Sequence, residues 1–335
     1  MSEFRTIREL CSVVVDCPHS TPKWTANGKI VIRNKNIKHG KIDFSSPSYT
    51  DDEHFAQRIK RAKPQPGDII ITREAPIGDV GMIPENTECC LGQRMVLLRA
   101  NQSVCDNFYL LYSLQSLYVQ HQISWSEGTG TTVSNLRIPH LEQIQIPYLP
   151  LEQQAKISSV LRALEEKIEN NRRLNDNLQQ QAAALFSSLY DRTNTEVRFT
   201  DLIQILGGGT PKTGENTYWN GNIAFFTPKD VGTPYTLSTE KTITEEGLSH
   251  CNSRLYPVNT VFVTARGTVG KVGMSGVPMA MNQSCYALVG KETHQLLVYF
   301  YTLKAVDRLK HKASGAVFDA ITTRDFESEQ IMKLS

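Results

Sequence analysis

The sequence predicts an α+β fold in which two similar domains are separated by a long coiled-coil-type helix. Short motifs of the first part of the chain recur in the same order roughly 190 residues later, a period too long for a solenoid repeat. Within each part, short apolar runs alternate with Gly and Pro turns, which is typical of strands. Between the two parts, residues 151–190 contain neither Gly nor Pro and carry a heptad stripe, which indicates one long helix.

Four motif pairs define the duplication. Thr21-Pro22-Lys23 recurs as Thr210-Pro211-Lys212, and Asn27-Gly28 recurs as Asn220-Gly221. The run Ile69-Ile70-Ile71-Thr72 recurs as Val261-Phe262-Val263-Thr264. The glycine turn of residues 77–82 recurs at residues 269–274. Two similar modules on one stiff spacer are suited to contact two similar targets a fixed distance apart.

Length and composition limit the class of protein. The 335 residues are enough for two hydrophobic cores, and 40% hydrophobic with 21% charged residues indicates a folded chain. No apolar run approaches the roughly 20 residues of a membrane span. The amino terminus lacks the apolar core of a signal peptide, so we expect a cytoplasmic protein. The seven cysteines form no C-x-x-C pair, and we expect buried or idle thiols instead of a zinc site.

The charge balance argues weakly against a nucleic-acid binder. The net charge is only +2, and basic and acidic residues nearly cancel within each module. Affinity for a duplex grows with the number of phosphates neutralised. Phosphates would therefore have to be met by local patches or by another subunit, and a scaffold that binds protein partners remains an alternative.

The first module is expected to cover residues 1–150. Pro66-Gly67-Asp68 opens a strand at Ile69–Thr72, and a second buried strand is expected at Met95–Leu98. The apolar period then lengthens to three or four residues, which predicts a helix from Asn107 to about Ile123. A loop of small residues follows at Gly128-Thr129-Gly130-Thr131-Thr132.

The second module, residues 196–335, is expected to repeat this order. Its strands are predicted at 223–226, 261–264 and 285–289, followed by a helical pattern from Leu296 to Leu309 and by Ser314-Gly315. Its closing Gln330-Ile331 corresponds to Gln145-Ile146 of the first module. The printed chain ends where a second spacer helix would be expected to begin.

The spacer is expected to cover residues 151–192. Steps of three and four residues give an apolar seam that is interrupted by Asn171 and Asn175. The apolar members of the seam are Leu161, Leu164, Ile168, Leu178, Leu185 and Leu189. About 40 helical residues span roughly 60 Å, which is comparable to roughly 17 base pairs. The seam either needs an elongated partner, which includes self-association, or packs on its own domain as an ordinary amphipathic helix.

Catalytic motifs are missing. Ala265 to Lys271 approaches a phosphate-binding loop, but Ala265 replaces the first Gly and Val272 replaces the magnesium-binding Ser or Thr. There is no Asn-Pro-Pro-aromatic run and no Pro-Cys nucleophile for base methylation, and the eight histidines are isolated. Asp68 and Glu74 have a nuclease-like spacing, but no lysine stands in the expected place. We therefore expect no catalytic residue and no metal.

The remaining polar residues suit recognition of bases and phosphates. Arg and Lys read guanine, and Asn and Gln read adenine. The candidates of the first module are Lys23, Arg33, Asn34, Lys35, Arg73, Gln93 and Arg94, and those of the second are Lys212, Lys229, Arg266, Lys271, Asn282 and Gln283. Arg73 and Arg266 each end a strand before a glycine turn, so both are expected to point outward. Any one candidate is also explained as a solvated surface charge, but polar loops at matching repeat positions strengthen the set.

A family resemblance is carried by the end of the first module and the start of the spacer. The segment from Gly128 to Thr132, then Leu141-Glu142-Gln143-Ile144-Gln145-Ile146-Pro147, then Leu149-Pro150-Leu151-Glu152-Gln153-Gln154 resembles the specificity (S) subunits of type I restriction–modification systems. Gly207-Gly208-Gly209-Thr210-Pro211 resembles the start of a target-recognition domain in that family. The similarity covers essentially the whole chain.

The resemblance implies a non-catalytic subunit without a cofactor of its own. Residues 1–150 and 196–335 would be target-recognition domains, and 151–192 the conserved spacer helix, with the second spacer helix absent. Each domain would read one half of a bipartite, asymmetric site in double-stranded DNA. The helix would dock two methylation subunits that use S-adenosylmethionine, and a restriction subunit would join the full complex. The unpaired helix would favour self-association.

Overall fold

The computed structural model describes residues 3–125, 135–232, 234–312 and 320–334. The loop expected at Gly128-Thr129-Gly130-Thr131-Thr132 and the Ser314-Gly315 pair lie outside these residues. The chain divides into two compact units, Met1–Arg173 and Leu174–Ser335. Each unit is described by itself below.

The first unit is a mixed α+β domain. Its strands are β1 (Glu3–Thr6), β2 (Cys11–Asp16), β3 (Lys29–Ile32), β4 (Ile37–Lys38), β5 (Lys41–Ile42), β6 (Ser48–Thr50), β7 (Ile69–Thr72), β8 (Val80–Met82), β9 (Cys89–Leu91), β10 (Met95–Ala100) and β11 (Gln145–Tyr148). Its helices are α1 (Ile7–Leu10), α2 (Asp52–Arg58), α3 (Asn107–Gln115), α4 (Leu117–Ser124) and α5 (Ile138–Gln143), with a 3₁₀ turn at Asn34–Asn36.

The central sheet of the first unit is antiparallel, in the order β2-β10-β7-β8, and the strand predicted at Ile69–Thr72 is confirmed as β7. Its run of isoleucines is buried on both faces, as expected where both sides of a sheet are covered. Ile69 and Ile71 enter one core cluster, whereas Ile70 enters the other. A second sheet, β6-β3-β9, pairs β3 with β9 in parallel.

The helix expected from Asn107 to Ile123 is two helices, so the prediction of one continuous helix is wrong. Ser116 lies between α3 and α4 with an extended backbone, φ −65° and ψ 147°. Its hydroxyl accepts a hydrogen bond from the amide of Val119 at 3.3 Å, which caps the start of α4. A serine that satisfies a free amide at a helix start favours a new helix over continuation of the old one.

The spacer helix, α6, runs without interruption over Leu151–Tyr190. In the first unit its start is fixed by the buried Gln154, whose amide nitrogen donates to Leu149 O at 2.7 Å and whose oxygen accepts from Asp106 N at 2.9 Å. In the second unit Phe186 stacks on Phe300 with ring centroids 5.2 Å apart. A helix free of Gly and Pro with anchored ends explains why the sequence pattern predicted it well.

The second unit repeats the plan. Its strands are β12 (Glu196–Arg198), β13 (Ile203–Gly207), β14 (Trp219–Phe226), β15 (Tyr235–Thr236), β16 (Lys241–Ile243), β17 (Val261–Thr264), β18 (Val272–Ser275), β19 (Met279–Met281), β20 (Cys285–Gly290) and β21 (Gln330–Met332). Its helices are α7 (Phe199–Leu202), α8 (Glu245–Ser249), α9 (Gln295–Lys312) and α10 (Thr323–Glu327), with a 3₁₀ turn at Asn216–Tyr218.

The sheets of the second unit have the orders β13-β20-β17-β18-β15 and β16-β14-β19. The predicted strand at 261–264 is confirmed, and those at 223–226 and 285–289 are each part of a longer strand. As in the first unit, the smaller sheet pairs its middle strand, β14, in parallel with β19. No helix in the described part of the chain is long and apolar enough to cross a bilayer.

Candidate nucleic-acid interface

The parallel pairing of β3 and β9 brings two recognition loops of the first module together. Parallel strands end at the same edge of a sheet, so the residues after Ile32 lie beside those after Leu91. The amide of Gly92 donates to Ile32 O at 2.7 Å, which joins the two loops. They border a cleft of about 350 Å³ lined by Pro22, Trp24, Arg33, Asn34, Lys35, Ala75, Gly92, Gln93 and Arg94. The cleft therefore contains five of the seven candidates of this module.

One wall of the cleft is the 3₁₀ turn after β3. The buried Asn36 accepts a hydrogen bond from Arg33 N at 3.0 Å, which fixes this turn. The Arg33 guanidinium lies 4.9 Å from the ring centroid of Trp24, within cation–π range. Asn34 donates to Glu74 O at 2.6 Å, and its own Oδ1 is buried with no partner among the described residues. An exposed aromatic ring, a guanidinium and an amide thus meet on one wall.

The other wall is the turn between β9 and β10. Gln93 Nε2 donates to His19 O and lies 3.5 Å from Thr21 Oγ1. Arg94 has a left-handed backbone, with φ +64°, and its Nε lies 3.2 Å from Glu74 Oε2. The Arg94 side chain is 57% exposed. An amide and a guanidinium in a cleft are the groups that read base edges in a major groove.

Two candidates of the first module lie outside this cleft lining. Lys23 is exposed, and its Nζ lies 3.4 Å from Asp51 Oδ2. Arg73 contacts both carboxylate oxygens of Asp16 through one terminal nitrogen, at 2.8 and 2.9 Å, and its side chain is only 11% exposed. Its Nε also donates to Leu136 O at 2.8 Å. The expectation that Arg73 points outward is therefore wrong, because Asp16, at the end of β2 two strands away in the same sheet, supplies a carboxylate that holds it inward.

The hydrogen-bond register corrects the pairing of Arg73 with Arg266. Thr72 N bonds Asp79 O at 2.8 Å and Thr264 N bonds Lys271 O at 3.0 Å, so Thr72 and Thr264 are equivalent. The counterpart of Arg73 is then Ala265. Arg266 occupies the position of Glu74, and Lys271 that of Asp79. The two modules therefore carry opposite charges at the same places.

The acidic partner of Arg73 is also replaced in the second module. Asp16 lies opposite Val96, whereas Gly207 lies opposite Tyr286 at the matching place in the sheet. The second module therefore has no counterpart of the Asp16–Arg73 ion pair, because Gly207 and Ala265 occupy these two positions. Both members have been replaced together, which leaves no buried charge unpaired at this place.

The loops of the second module are built as those of the first. The amide of Asn282 donates to Phe226 O at 3.0 Å, as Gly92 does to Ile32, so Asn282 and Gln283 match Gly92 and Gln93. Gln283 accepts a hydrogen bond from the Thr210 hydroxyl, which parallels the contact of Gln93 with Thr21. Arg266 is brought beside them by a bond from its amide to Ser284 O at 3.3 Å.

The lysines of the second module are exposed. Lys229 follows β14, and its Nζ lies 3.7 Å from Glu240 Oε2. Lys212, Arg266 and Lys271 form no side-chain ion pair within the part of the chain that the structure describes. Exposed cations without an acidic neighbour are free to contact phosphates.

The apolar seam of α6 is exposed in the described chain. Exposure is 54% at Leu164, 52% at Ile168 and Leu178, 62% at Leu185 and 47% at Leu189, whereas Leu161 is half-buried. The helix packs on its two units through other residues, such as Gln154 and Phe186. Exposed apolar residues along one face of a helix are typical of a surface that contacts a partner.

The cysteines are free thiols, six of them buried. Burial raises the pKa of Cys89 to about 12 and that of Cys90 to about 11, so both stay neutral and unreactive. Among residues 3–125, 135–232, 234–312 and 320–334, no group of three His, Cys, Asp or Glu side chains could hold a metal ion.

Two α+β modules with equivalent polar loops, joined through one long helix, define a duplicated recognition protein. The family model for the type I restriction modification DNA specificity domain matches the chain twice, at residues 3–180 and 192–332. The chain therefore belongs to the type I restriction–modification specificity family, whose members are the non-catalytic DNA-recognition components of these systems.

Relatives support this placement. The putative type I restriction enzyme MjaX specificity subunit of Methanocaldococcus jannaschii is 23% identical over 98% of the chain and 82% of its own length. The MjaIX specificity subunit of the same organism is 30% identical over 36% of the chain, but the match spans only 29% of that protein. The EcoR124I/EcoR124II specificity subunit of Escherichia coli is 36% identical over 28% of the chain and 24% of its own length.

The fold is shared with a solved structure. The crystal structure of the type I restriction–modification S subunit from M. genitalium superposes with a TM-score of 0.65 at 16% identity. The match covers 100% of the chain and 85% of that structure. At this identity the similarity shows the fold alone.

Proposed function

We propose that the chain reads a bipartite, asymmetric sequence in double-stranded DNA, one half with each module, and presents the DNA to two methylation subunits. The equivalence of the loops carries this proposal. Gly92-Gln93-Arg94 and Asn282-Gln283-Ser284 occupy the same place in the two modules but offer different side chains. Equal geometry with unequal chemistry suits two half-sites of different sequence.

The proposed partners follow from the family and from the lack of methylation and nucleotide-hydrolysis motifs in this sequence. The methylation subunits would supply S-adenosylmethionine and the reaction on adenine, and a restriction subunit would join the complete assembly. The near-neutral modules would leave much of the phosphate neutralisation to these partners, because affinity scales with the cations presented to the duplex. We place the complex with its DNA in the cytoplasm.

Selection from random duplexes tests this function. The chain, together with its methylation subunits, is incubated with a pool of random DNA, and the retained molecules are sequenced. We expect two short motifs at a fixed separation. Enrichment of one contiguous motif, or of none, would overturn the proposal.

Variants of the first cleft should change one half-site only. Replacement of Gln93 or Arg94 with alanine removes a group that reads bases, and each such contact is worth about 1–3 kcal/mol of discrimination. We expect the first half of the selected sequence to relax while the second stays sharp. Gln283→Ala is the matched control and should show the reverse pattern. Relaxation of both halves by a single variant would mean that the modules do not read separate half-sites.

A scaffold that binds only protein partners is the alternative, and the near-neutral charge favours it. The same loop variants separate the two functions. If they lose DNA selection and still assemble with the methylation subunits, the loops serve DNA. If they lose assembly and leave DNA selection unchanged, the scaffold function is favoured.

The exposed seam of α6 predicts that the isolated chain associates with itself. We expect light scattering of the purified chain to give a mass above that of a monomer at micromolar concentration, and Leu164→Glu with Leu178→Glu to reduce it. Both leucines are about half exposed, so the changes should not disturb either core. A monomeric wild-type chain that binds no dye specific for apolar surface would contradict this prediction.

A further inference from the structure

A buried arginine lies behind the cleft of the first module. Arg58, the last residue of α2, is 6% exposed. Its guanidinium donates to four backbone carbonyls, Leu91 O at 2.7 Å, Gly92 O at 2.9 Å, Ser20 O at 3.0 Å and Pro18 O at 3.2 Å. Arg58 therefore ties the segment at residues 18–20 to the segment at residues 91–92.

This charge has no carboxylate partner among the described residues. The other buried charges do have partners: Asp68 pairs with Arg99 at 2.8 Å, and Glu329 pairs with Lys312. Burial lowers the pKa of Arg58, yet an arginine stays charged at neutral pH. A buried charge without a counter-ion is unfavourable, and the four carbonyl acceptors, which engage four of its five N–H groups, make it tolerable.

Both tied segments continue into the walls of the cleft. Residues 18–20 lead into Pro22 and Trp24, and residues 91–92 lead into Gln93 and Arg94. The bond from Gln93 to His19 O crosses the same gap from the side of the cleft. The guanidinium of Arg58 thus fixes, from behind, the segment that leads to Trp24 against the turn that carries Gln93 and Arg94, without lining the cleft itself.

The second module holds its loops differently. Counting from the helix caps Asp51 and Thr244, the place of Arg58 is taken by Cys251. There Ser253 Oγ accepts a bond from Met281 N at 2.9 Å, and Tyr256 donates to Gly207 O at 3.2 Å. A change at Arg58 should therefore leave the second module untouched.

We propose that Arg58 is the positioning residue of the first recognition cleft, and that its carbonyl-bridging fork sets the sequence selectivity of the first half-site. This inference rests on the proposed DNA-reading function. It assigns Arg58 no contact with DNA. Loss of the fork should change which bases the cleft accepts without removing a phosphate contact.

The test compares Arg58→Lys with Arg61→Lys. Lysine keeps the charge but cannot bridge four carbonyls in a planar fork. Arg61 is an exposed neighbour with one weak bond, 3.4 Å to Asp16 O, and is the matched control. For Arg58→Lys we expect discrimination at the first half-site to fall about tenfold or more. The second half-site and the salt dependence of binding should be unchanged, because no phosphate contact is lost. Arg61→Lys should match the wild type throughout.

The outcomes separate the two proposals. A wild-type chain that selects no bipartite sequence would reject the function itself. A wild-type chain that selects one, with Arg58→Lys selecting the first half as sharply, would reject the role of Arg58. A parallel weakening of both halves with an altered salt dependence would do the same.

A second measurement covers the case in which Arg58→Lys does not fold. Amide hydrogen exchange is followed in the wild-type chain, with and without the selected duplex. We expect the amides of Cys17 and Gly92, which donate to Met95 O and Ile32 O next to the two bridged segments, to be protected before DNA is added, because Arg58 preorganises these segments. Free exchange in these segments that becomes slow only with the selected duplex would overturn the positioning role.

Discussion

Gly208→Ala is expected to destabilise the second module by about 3 kcal/mol, as overpacking of a tight site does. A Cβ at this position would lie 2.2 Å from Asn282 O and 2.7 Å from Met281 O. Both are backbone atoms, so no side chain can rotate away, and the turn that carries Gln283 must shift. We expect a lower midpoint in urea unfolding and relaxed selection at the second half-site.

Gly207→Ala provides the matched control for this variant. A Cβ on Gly207 meets no heavy atom within 4 Å, although the residue directly precedes Gly208 in the chain. We expect a change within about 0.5 kcal/mol, as for most surface substitutions, and unaltered selection. Equal effects of the two alanines would show that close approach to Asn282 is not what requires glycine here.

The general plan of the fold could be predicted because it depends on patterns that are visible in the sequence itself. The duplication follows from repeated motifs, and α6 follows from the absence of Gly and Pro over residues 151–190. The break at Ser116 could not be predicted from apolar spacing, because the spacing continues through it. There the choice is made by one hydroxyl that caps the next helix.

The candidate site was predictable in part for a topological reason. Residues that follow two parallel strands must lie together, so Arg33 to Lys35 and Gln93 to Arg94 share a cleft. The loop Lys23-Trp24 was also a candidate, and Trp24 lines the cleft, whereas Glu74 was missed although it follows Arg73 in the chain. Arg58 was missed because, in sequence, it is one more arginine at a helix end, and only its burial distinguishes it.

The modules also differ at the ends of equivalent strands. Arg73 and Arg266 both stand between a strand and a glycine turn, but the ladder hydrogen bonds align Arg73 with Ala265, in agreement with the recurrence of residues 69–72 at 261–264. A shift of one residue along a strand end exchanges an inward for an outward side chain. This explains why Arg266 is exposed while Arg73 is held by Asp16.

Arg73→Ala is expected to cost about 2 kcal/mol of stability in the first module, because it leaves the half-buried Asp16 with only the exposed His19, whose Nε2 lies 3.0 Å from Asp16 Oδ2. The Asp16 side chain is only 19% exposed, and the variant also loses the hydrogen bond that the Arg73 guanidinium donates to Leu136 O. The double variant Asp16→Gly with Arg73→Ala reproduces the second module, where Gly207 and Ala265 stand at these places. We expect the double variant to be more stable than the sum of the single losses predicts, by about 1–2 kcal/mol, since no unpaired charge remains.

Arg94→Ala serves as the comparison, because the Arg94 side chain is 57% exposed and its ion pair with Glu74 should be worth at most about 1 kcal/mol. Urea unfolding of Asp16→Gly, Arg73→Ala, the double variant and Arg94→Ala measures the stability loss of each. Selection from random duplexes with the same proteins shows whether the first half-site relaxes. Arg73 variants should lose stability first, and Arg94→Ala should lose selectivity at nearly full stability. Additive losses in the Asp16–Arg73 cycle, or equal stability losses for Arg73→Ala and Arg94→Ala, would show that the inward ion pair does not support the first module.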